Sequence, residues 1–149
     1  MSHEILPPAR VLVTGASGLL GRSVAQRLAD LGYQVTTFQR SASDVGARDV
    51  RGSLTDDDAV AQAVDGQDAI VHMAAKVSVS GRREDFERVN ILGTEKLFDA
   101  AWGAGVENIL HVSSPSVAHA GSSLVGAPAG LPDPQHAEGH YARTKAEAE

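Results

Sequence analysis

Residues 10–21 read RVLVTGASGLLG, and the fold of everything downstream turns on how this stretch is read. Arg10 to Val13 form a compact run rich in β-branched side chains, as in a buried strand, and Thr14 and Gly15 end it in a turn. Glycines then recur at Gly15, Gly18 and Gly21, while Leu19, Leu20, Val24, Leu28 and Leu31 return at steps of three and four before Gly32, which predicts a helix. A strand, a glycine turn and a helix in that order let the backbone bend sharply and aim free N–H groups at an anion such as a pyrophosphate. The spacing is G-x-x-G-x-x-G, not the G-x-G-x-x-G of the general dinucleotide fingerprint.

Outward from that turn, QVTTF at 34–38 predicts a second strand and DVRG at 49–52 a third. TDDDAVAQAV at 55–64 predicts a helix with Thr55 as N-cap and Asp56, Asp57 and Asp58 complementing the positive end of its dipole. AIVHMA at 69–74 is a fourth strand, a long helix runs from about Arg83 to Gly103, and NILHVSS at 108–114 is a fifth strand. Phe98 and Trp102, four apart on the long helix, read as core packing. From Ala118 to Gly139 the chain is rich in Gly, Pro, Ser and Ala without a steady period and reads as a long loop. Strands alternating with helices predict an α/β fold: a Rossmann-type, doubly wound parallel sheet that binds ligands beyond the carboxyl ends of its strands. Residues 1–9, MSHEILPPA, are a lead-in, because Pro7 and Pro8 cannot donate to a ladder, and residues 10–149 are read as one nucleotide-binding domain.

Composition narrows the function classes. A net charge of -6 without runs of one sign provides no basic patch, so no nucleic-acid partner is expected. The absence of cysteine rules out disulfides and thiolate metal sites within the sequence and suits a cytoplasmic location. No stretch of about 20 apolar residues predicts a membrane span. His136 and His140 flank Glu138, but the order differs from H-E-x-x-H and Gly139 interrupts the helix, so no metal site is expected. His72 and His111 fall on strands and read as satisfied core or strand-end residues.

An acidic residue about 20 positions beyond the glycines would bind the ribose hydroxyl of NAD, whereas an arginine would accommodate the phosphate of NADP. Here Gln39 and Arg40 end the second strand and no carboxylate follows until Asp44, which leans toward NADP while leaving NAD open.

Six landmarks then stand in a recognisable order: TGASGLLG at 14–21, GSLTD at 52–56, HMAA at 72–75, VNILGT at 89–94, VSSPSV at 112–117 and YARTK at 141–145. In this the chain resembles an extended short-chain dehydrogenase/reductase of the NAD-dependent epimerase/dehydratase superfamily, from Arg10 to the last residue. The SSPSV form and KVSVSG at 76–81 are more similar to the 3β-hydroxysteroid dehydrogenase-like branch than to sugar-nucleotide epimerases, which more often carry a tyrosine-glycine pair where Ala118 and His119 stand.

The resemblance implies roles. Gly15, Gly18 and Gly21 would contact the cofactor pyrophosphate, Ala74 and Ala75 would let adenosine and ribose lie against the end of the fourth strand, and Ser17, Leu19, Leu20, Arg40, Ser53, Leu54 and Lys76 would complete the cofactor-binding set. Ser53 stands where the family usually has an aspartate that binds adenine. Ser114, Tyr141 and Lys145 match the catalytic set: Ser114 to hold the substrate oxygen, Tyr141 to exchange its proton, and Lys145, one helical turn on, to favour the phenolate and bind the nicotinamide ribose. Ser113 and Ser116 are the neighbouring alternatives, and Ser114 is chosen from its offset to Val117.

The implied activity is interconversion of a hydroxyl and a ketone on a hydrophobic, steroid-like small molecule. A sugar-nucleotide epimerase or dehydratase, or a non-catalytic NAD(P)-binding fragment, is the alternative. Phe86, Val89, Leu92, Leu97 and Ala101 form a helical stripe that could serve a homodimer or the sheet. The family pattern normally continues with two more strands and a substrate-binding region, so the chain is expected to be the N-terminal portion of a longer protein.

Overall fold

In the computed structural model, residues 4–45, 48–78, 80–118, 125, 128 and 130–149 are described. The chain forms two compact units, Met1–Ala74 with Lys96–Val112 and Ala75–Glu95 with Ser113–Glu149.

The first unit carries a five-stranded, wholly parallel sheet. Its strands are β1 (Arg10–Thr14), β2 (Gln34–Gln39), β3 (Arg48–Arg51), β4 (Ala69–His72) and β5 (Asn108–His111), in the order β3-β2-β1-β4-β5. The expected strands are therefore all present, and the fold is Rossmann-like. Strand alternation divides β1 between two cores. Leu12 faces one with Phe38, Ile70, Val60, Val64, Leu97 and Ala101. Val11 and Val13 face the other with Val35, Ala16 and Ala25. Burial on both faces explains why β1 reads as a continuous apolar run.

Helix α1 (Leu19–Asp30) follows the glycine turn, and α2 (Asp57–Val64) follows β3. The cap of α2 is Asp56, not Thr55. Asp56 is extended and accepts a bond from the Ala59 N–H at 3.2 Å, whereas the Thr55 hydroxyl is engaged 2.9 Å from the Ser53 hydroxyl.

The long helix is composite: α3 (Arg83–Phe86), a π-helical segment (Glu87–Leu92) and α4 (Gly93–Gly103). Trp102 does not pack in the core; it is 80% exposed. Leu97 and Ala101, four apart, form the buried stripe, and Trp102 lies about 100° around the helix from Ala101. Phe98 is partly buried against the core as expected.

In the second unit, a short 3-10 turn (Pro115–Ala118) and α5 (Gly139–Glu147) pack together, and α5 also packs on α3 and the π segment. Of the expected loop over 118–139, residues 119–124, 126, 127 and 129, His119 among them, lie outside the described residues, while residues 130–138 contain neither helix nor strand, as expected, and Gly139 already opens α5. Among the described residues, no helix is long and apolar enough to cross a membrane.

The glycine turn positions α1 by backbone contact alone. A Cβ on Gly21 would lie 2.1 Å from the Gly15 carbonyl oxygen, and one on Gly15 would lie 2.9 Å from the Ala74 Cα and N. Gly15 also has φ +79, where side-chain-bearing residues are strained. Gly21→Ala is expected to lose at least about 2 kcal/mol in urea unfolding through backbone overpacking. Gly103→Ala, whose added Cβ meets nothing within 4 Å, should stay within about 1 kcal/mol of the parent, on the stabilising side.

Candidate functional site

The first unit presents the glycine turn. Gly15 donates its N–H to the Phe38 carbonyl at 3.0 Å, fixing the turn on the end of β2, and Gly18 donates to the Gly15 carbonyl at 3.2 Å. Gly18 is the N-cap of α1; it provides no side-chain cap, and the first turn contains no acidic residue. A helix start has unsatisfied N–H donors and a partial positive charge, so an uncapped one lined by glycine suits a phosphate. The added Cβ of Gly18 would meet only the Gly15 oxygen, at 3.5 Å, which leaves the backbone open to close approach. A dinucleotide pyrophosphate fits these residues. Ser17, Leu19 and Leu20 are exposed beside the turn, the two leucines 89% and 62%.

Arg40 is exposed at the end of β2, and it makes no ion pair among the described residues. The Asp44 carboxylate is already paired with Arg22 at 3.1 Å. Ser53 is half-buried; its hydroxyl also accepts from the Thr55 N–H at 3.2 Å. Leu54 is buried in the core. Ala74 follows the end of β4, half-buried.

The second unit holds Ala75, Lys76, Ser114, Tyr141 and Lys145. Ser114 leads into the 3-10 turn: its carbonyl accepts from the Val117 N–H at 3.1 Å and its hydroxyl lies 2.9 Å from the Ser116 hydroxyl. Ser113 is exposed, with its hydroxyl donating to Glu149. Tyr141 is half-buried on α5, and Lys145, one turn on, is buried to 3% exposure. Burial pushes the Lys145 ammonium below its ordinary value, and the carboxylate of Glu149 opposes the shift.

The sequence reading assigned no role to Asn90, although it lies in one of the six landmarks. It is 1% exposed, in the π-helical segment. Its side-chain carbonyl accepts from the Lys76 N–H at 2.8 Å, and its amide donates to the Lys76 carbonyl at 3.3 Å and to the Thr144 hydroxyl at 3.0 Å. Thr144 in turn donates to the His140 carbonyl at 2.7 Å. Asn90 thus clamps the segment after β4 to the helix that bears Tyr141 and Lys145. An asparagine in mid-helix, where its propensity is poor, was the available signal. The Lys76 ammonium rests over the Phe86 ring, 5.4 Å from its centroid.

His136 pairs with Asp133 at 2.8 Å, holding that carboxyl below its usual range, and no group of three potential metal ligands occurs among the described residues.

Residues 11–149 match the family model of the NAD dependent epimerase/dehydratase family. A 2-alkyl-3-oxoalkanoate reductase of Stenotrophomonas maltophilia (strain K279a) is 35% identical over 147 residues, covering 94% of this chain and 44% of the relative. A 3 beta-hydroxysteroid dehydrogenase/Delta 5-->4-isomerase of Mycobacterium tuberculosis (strain CDC 1551 / Oshkosh) is 37% identical over 152 residues, covering 94% and 41%. Among solved structures, MoeE5 in complex with UDP-glucuronic acid and NAD matches with a TM-score of 0.80 at 31% identity, over 94% of this chain and 47% of that one. The chain spans less than half the length of each of these proteins.

Two outcomes follow from this geometry. Asn90→Ala leaves the Lys76 N–H without its acceptor, so stability should fall by about 1–3 kcal/mol in urea unfolding, with faster hydrogen exchange at the Lys76 amide. A lysine whose folded value lies below 10.5 costs stability while charged; the cost is full below the folded value and fades as pH rises to 10.5. Lys145→Met is therefore expected to be more stable than the parent at neutral pH, with the two urea midpoints converging toward pH 10.5.

Proposed function

The chain belongs to the NAD dependent epimerase/dehydratase family, and on that premise we propose that the protein is an NAD(P)-dependent oxidoreductase interconverting a hydroxyl and a ketone on a hydrophobic, steroid-like small molecule. The observation that carries this reading is Tyr141 and Lys145 one turn apart on α5, with Ser114 leading into the 3-10 turn packed against that helix. The names of the two curated relatives, a 3β-hydroxysteroid dehydrogenase and an oxoalkanoate reductase, support a carbonyl or carbinol substrate with an apolar body.

Gly15, Gly18 and Gly21 would hold the pyrophosphate, Ala74 and Ala75 would let adenosine and ribose lie against the end of β4, and Arg40, Ser53, Leu54 and Lys76 would complete the cofactor-binding set. A nicotinamide cofactor held by these residues would supply the hydride chemistry. Arg40, exposed while Asp44 is engaged by Arg22, supports accommodation of a 2′-phosphate, which favours NADP.

The proton chemistry belongs to this chain. Tyr141 exchanges a proton with the substrate oxygen at its hydroxyl, Ser114 donates a hydrogen bond that holds the same oxygen, and Lys145 supplies positive charge on the Tyr141 face of α5. Burial strengthens that last contribution, because a charge removed from water acts through a lower effective dielectric.

The alternative is a sugar-nucleotide epimerase or dehydratase, supported by the likeness to MoeE5 with its bound UDP-glucuronic acid. The two readings separate in one assay. Incubation with steroid or oxoalkanoate ketones and NADPH or NADH should show stoichiometric cofactor oxidation. Tyr141→Phe should lower kcat by at least about 100-fold while leaving the dissociation constant for the cofactor unchanged. Conversion of UDP-sugars with no net cofactor consumption would overturn the reductase reading, and undiminished turnover by the variant would remove Tyr141 from the proton transfer.

A further inference from the structure

Thr14 ends β1, is fully buried, and sits one residue before Gly15. Its hydroxyl oxygen has three partners: the Met73 N–H at 3.0 Å, the Ala74 N–H at 3.0 Å and His72 Nδ1 at 2.7 Å. A threonine hydroxyl has one proton to give and two lone pairs to accept with. The two backbone N–H groups can only donate, so they take both lone pairs. The hydroxyl proton must then point at His72 Nδ1, and that nitrogen must be bare. His72 is thereby assigned as a neutral imidazole with its proton on Nε2.

We propose that His72 is a positioning residue for the cofactor turn. In this tautomer it accepts the Thr14 proton, orienting the hydroxyl to collect the Met73 and Ala74 N–H groups and hold the end of β4 against Gly15. The ladder between β1 and β4 ends at the pair Thr14↔His72, so a side chain takes over where strand pairing stops. The fit it guards is tight, since the Ala74 backbone lies where a Gly15 Cβ would be, at 2.9 Å. A shift of a few tenths of an ångström at Ala74 therefore moves against the turn that receives the pyrophosphate. His72 has little room to reorient: it is 1% exposed, with the His111 ring 5.3 Å away on β5 and the Phe98 ring 5.9 Å away on α4, centroid to centroid. The role rests on reading the glycine turn as a dinucleotide site, but the tautomer and the clamp do not.

The test uses the protein without cofactor, labelled with ¹⁵N-histidine, and assigns His72 through His72→Asn. Near neutral pH, long-range ¹H–¹⁵N correlation should show a bare Nδ1 and a protonated Nε2; a protonated Nδ1 would overturn the proposal. Thr14→Val keeps the shape of the buried β-branched residue but removes the hydroxyl. It should speed hydrogen exchange at Met73 and Ala74 and weaken NADH and NADPH binding by about tenfold or more, with Thr14→Ser restoring both. Unchanged exchange and affinity in Thr14→Val would sink the idea. If the parent protein binds neither dinucleotide, the cofactor reading fails, while the nitrogen signature and the exchange rates still decide whether the clamp exists.

Discussion

The rest of the molecule depends on one close backbone contact. The first turn of α1 rests on the Gly15 carbonyl so tightly that no Cβ fits at Gly21, and Gly15 itself is crowded by Ala74 at the end of β4. These contacts bring α1 directly onto the sheet and leave its N-terminal donors uncapped above the strand ends. A side chain at either glycine would push the helix away and move its N-terminal donors off the strand ends. The same constraint that packs the fold therefore leaves an uncapped, glycine-lined helix start, a feature that suits an anion.

A second principle governs the ends of the parallel strands: backbone donors that lose their ladder partners must find others. Thr14 serves Met73 and Ala74 in the first unit, and Asn90 serves Lys76 in the second. Both are buried side chains that cap strand-end or loop backbone, and both lie next to residues with proposed roles in binding or chemistry. Their value lies in fixing geometry, since each single bond adds only about 1 kcal/mol net while an orphaned donor costs more. The π-helical segment suits this arrangement, because π turns often occur where a helix presents a functional side chain.

Much of the fold was legible because its signals are local. The apolar run of β1, the three-and-four periodicity of α1 and the glycines between them each report on residues within one or two turns. Legibility failed where the deciding partner was elsewhere or the competing geometry was subtle. Thr55 and Asp56 are both good caps on paper, and only the engagement of Thr55 with Ser53 shows which one serves. Trp102 has helical spacing from Phe98, but the sheet takes the stripe of Leu97 and Ala101 instead. Asn90 was visible as a motif letter, yet its partners are 14 and 54 residues away.

By itself the sequence determined the order of elements, the glycine turn, and the pairing of Tyr141 with Lys145 on one helix, because these follow from spacing along the chain. The tertiary structure decided the rest. It closed the turn on Phe38 and Ala74, took Lys145 out of water, and made Thr14 and Asn90 into clamps. The physical reason is that desolvation and hydrogen-bond satisfaction depend on which distant groups surround a side chain, and no local pattern specifies that.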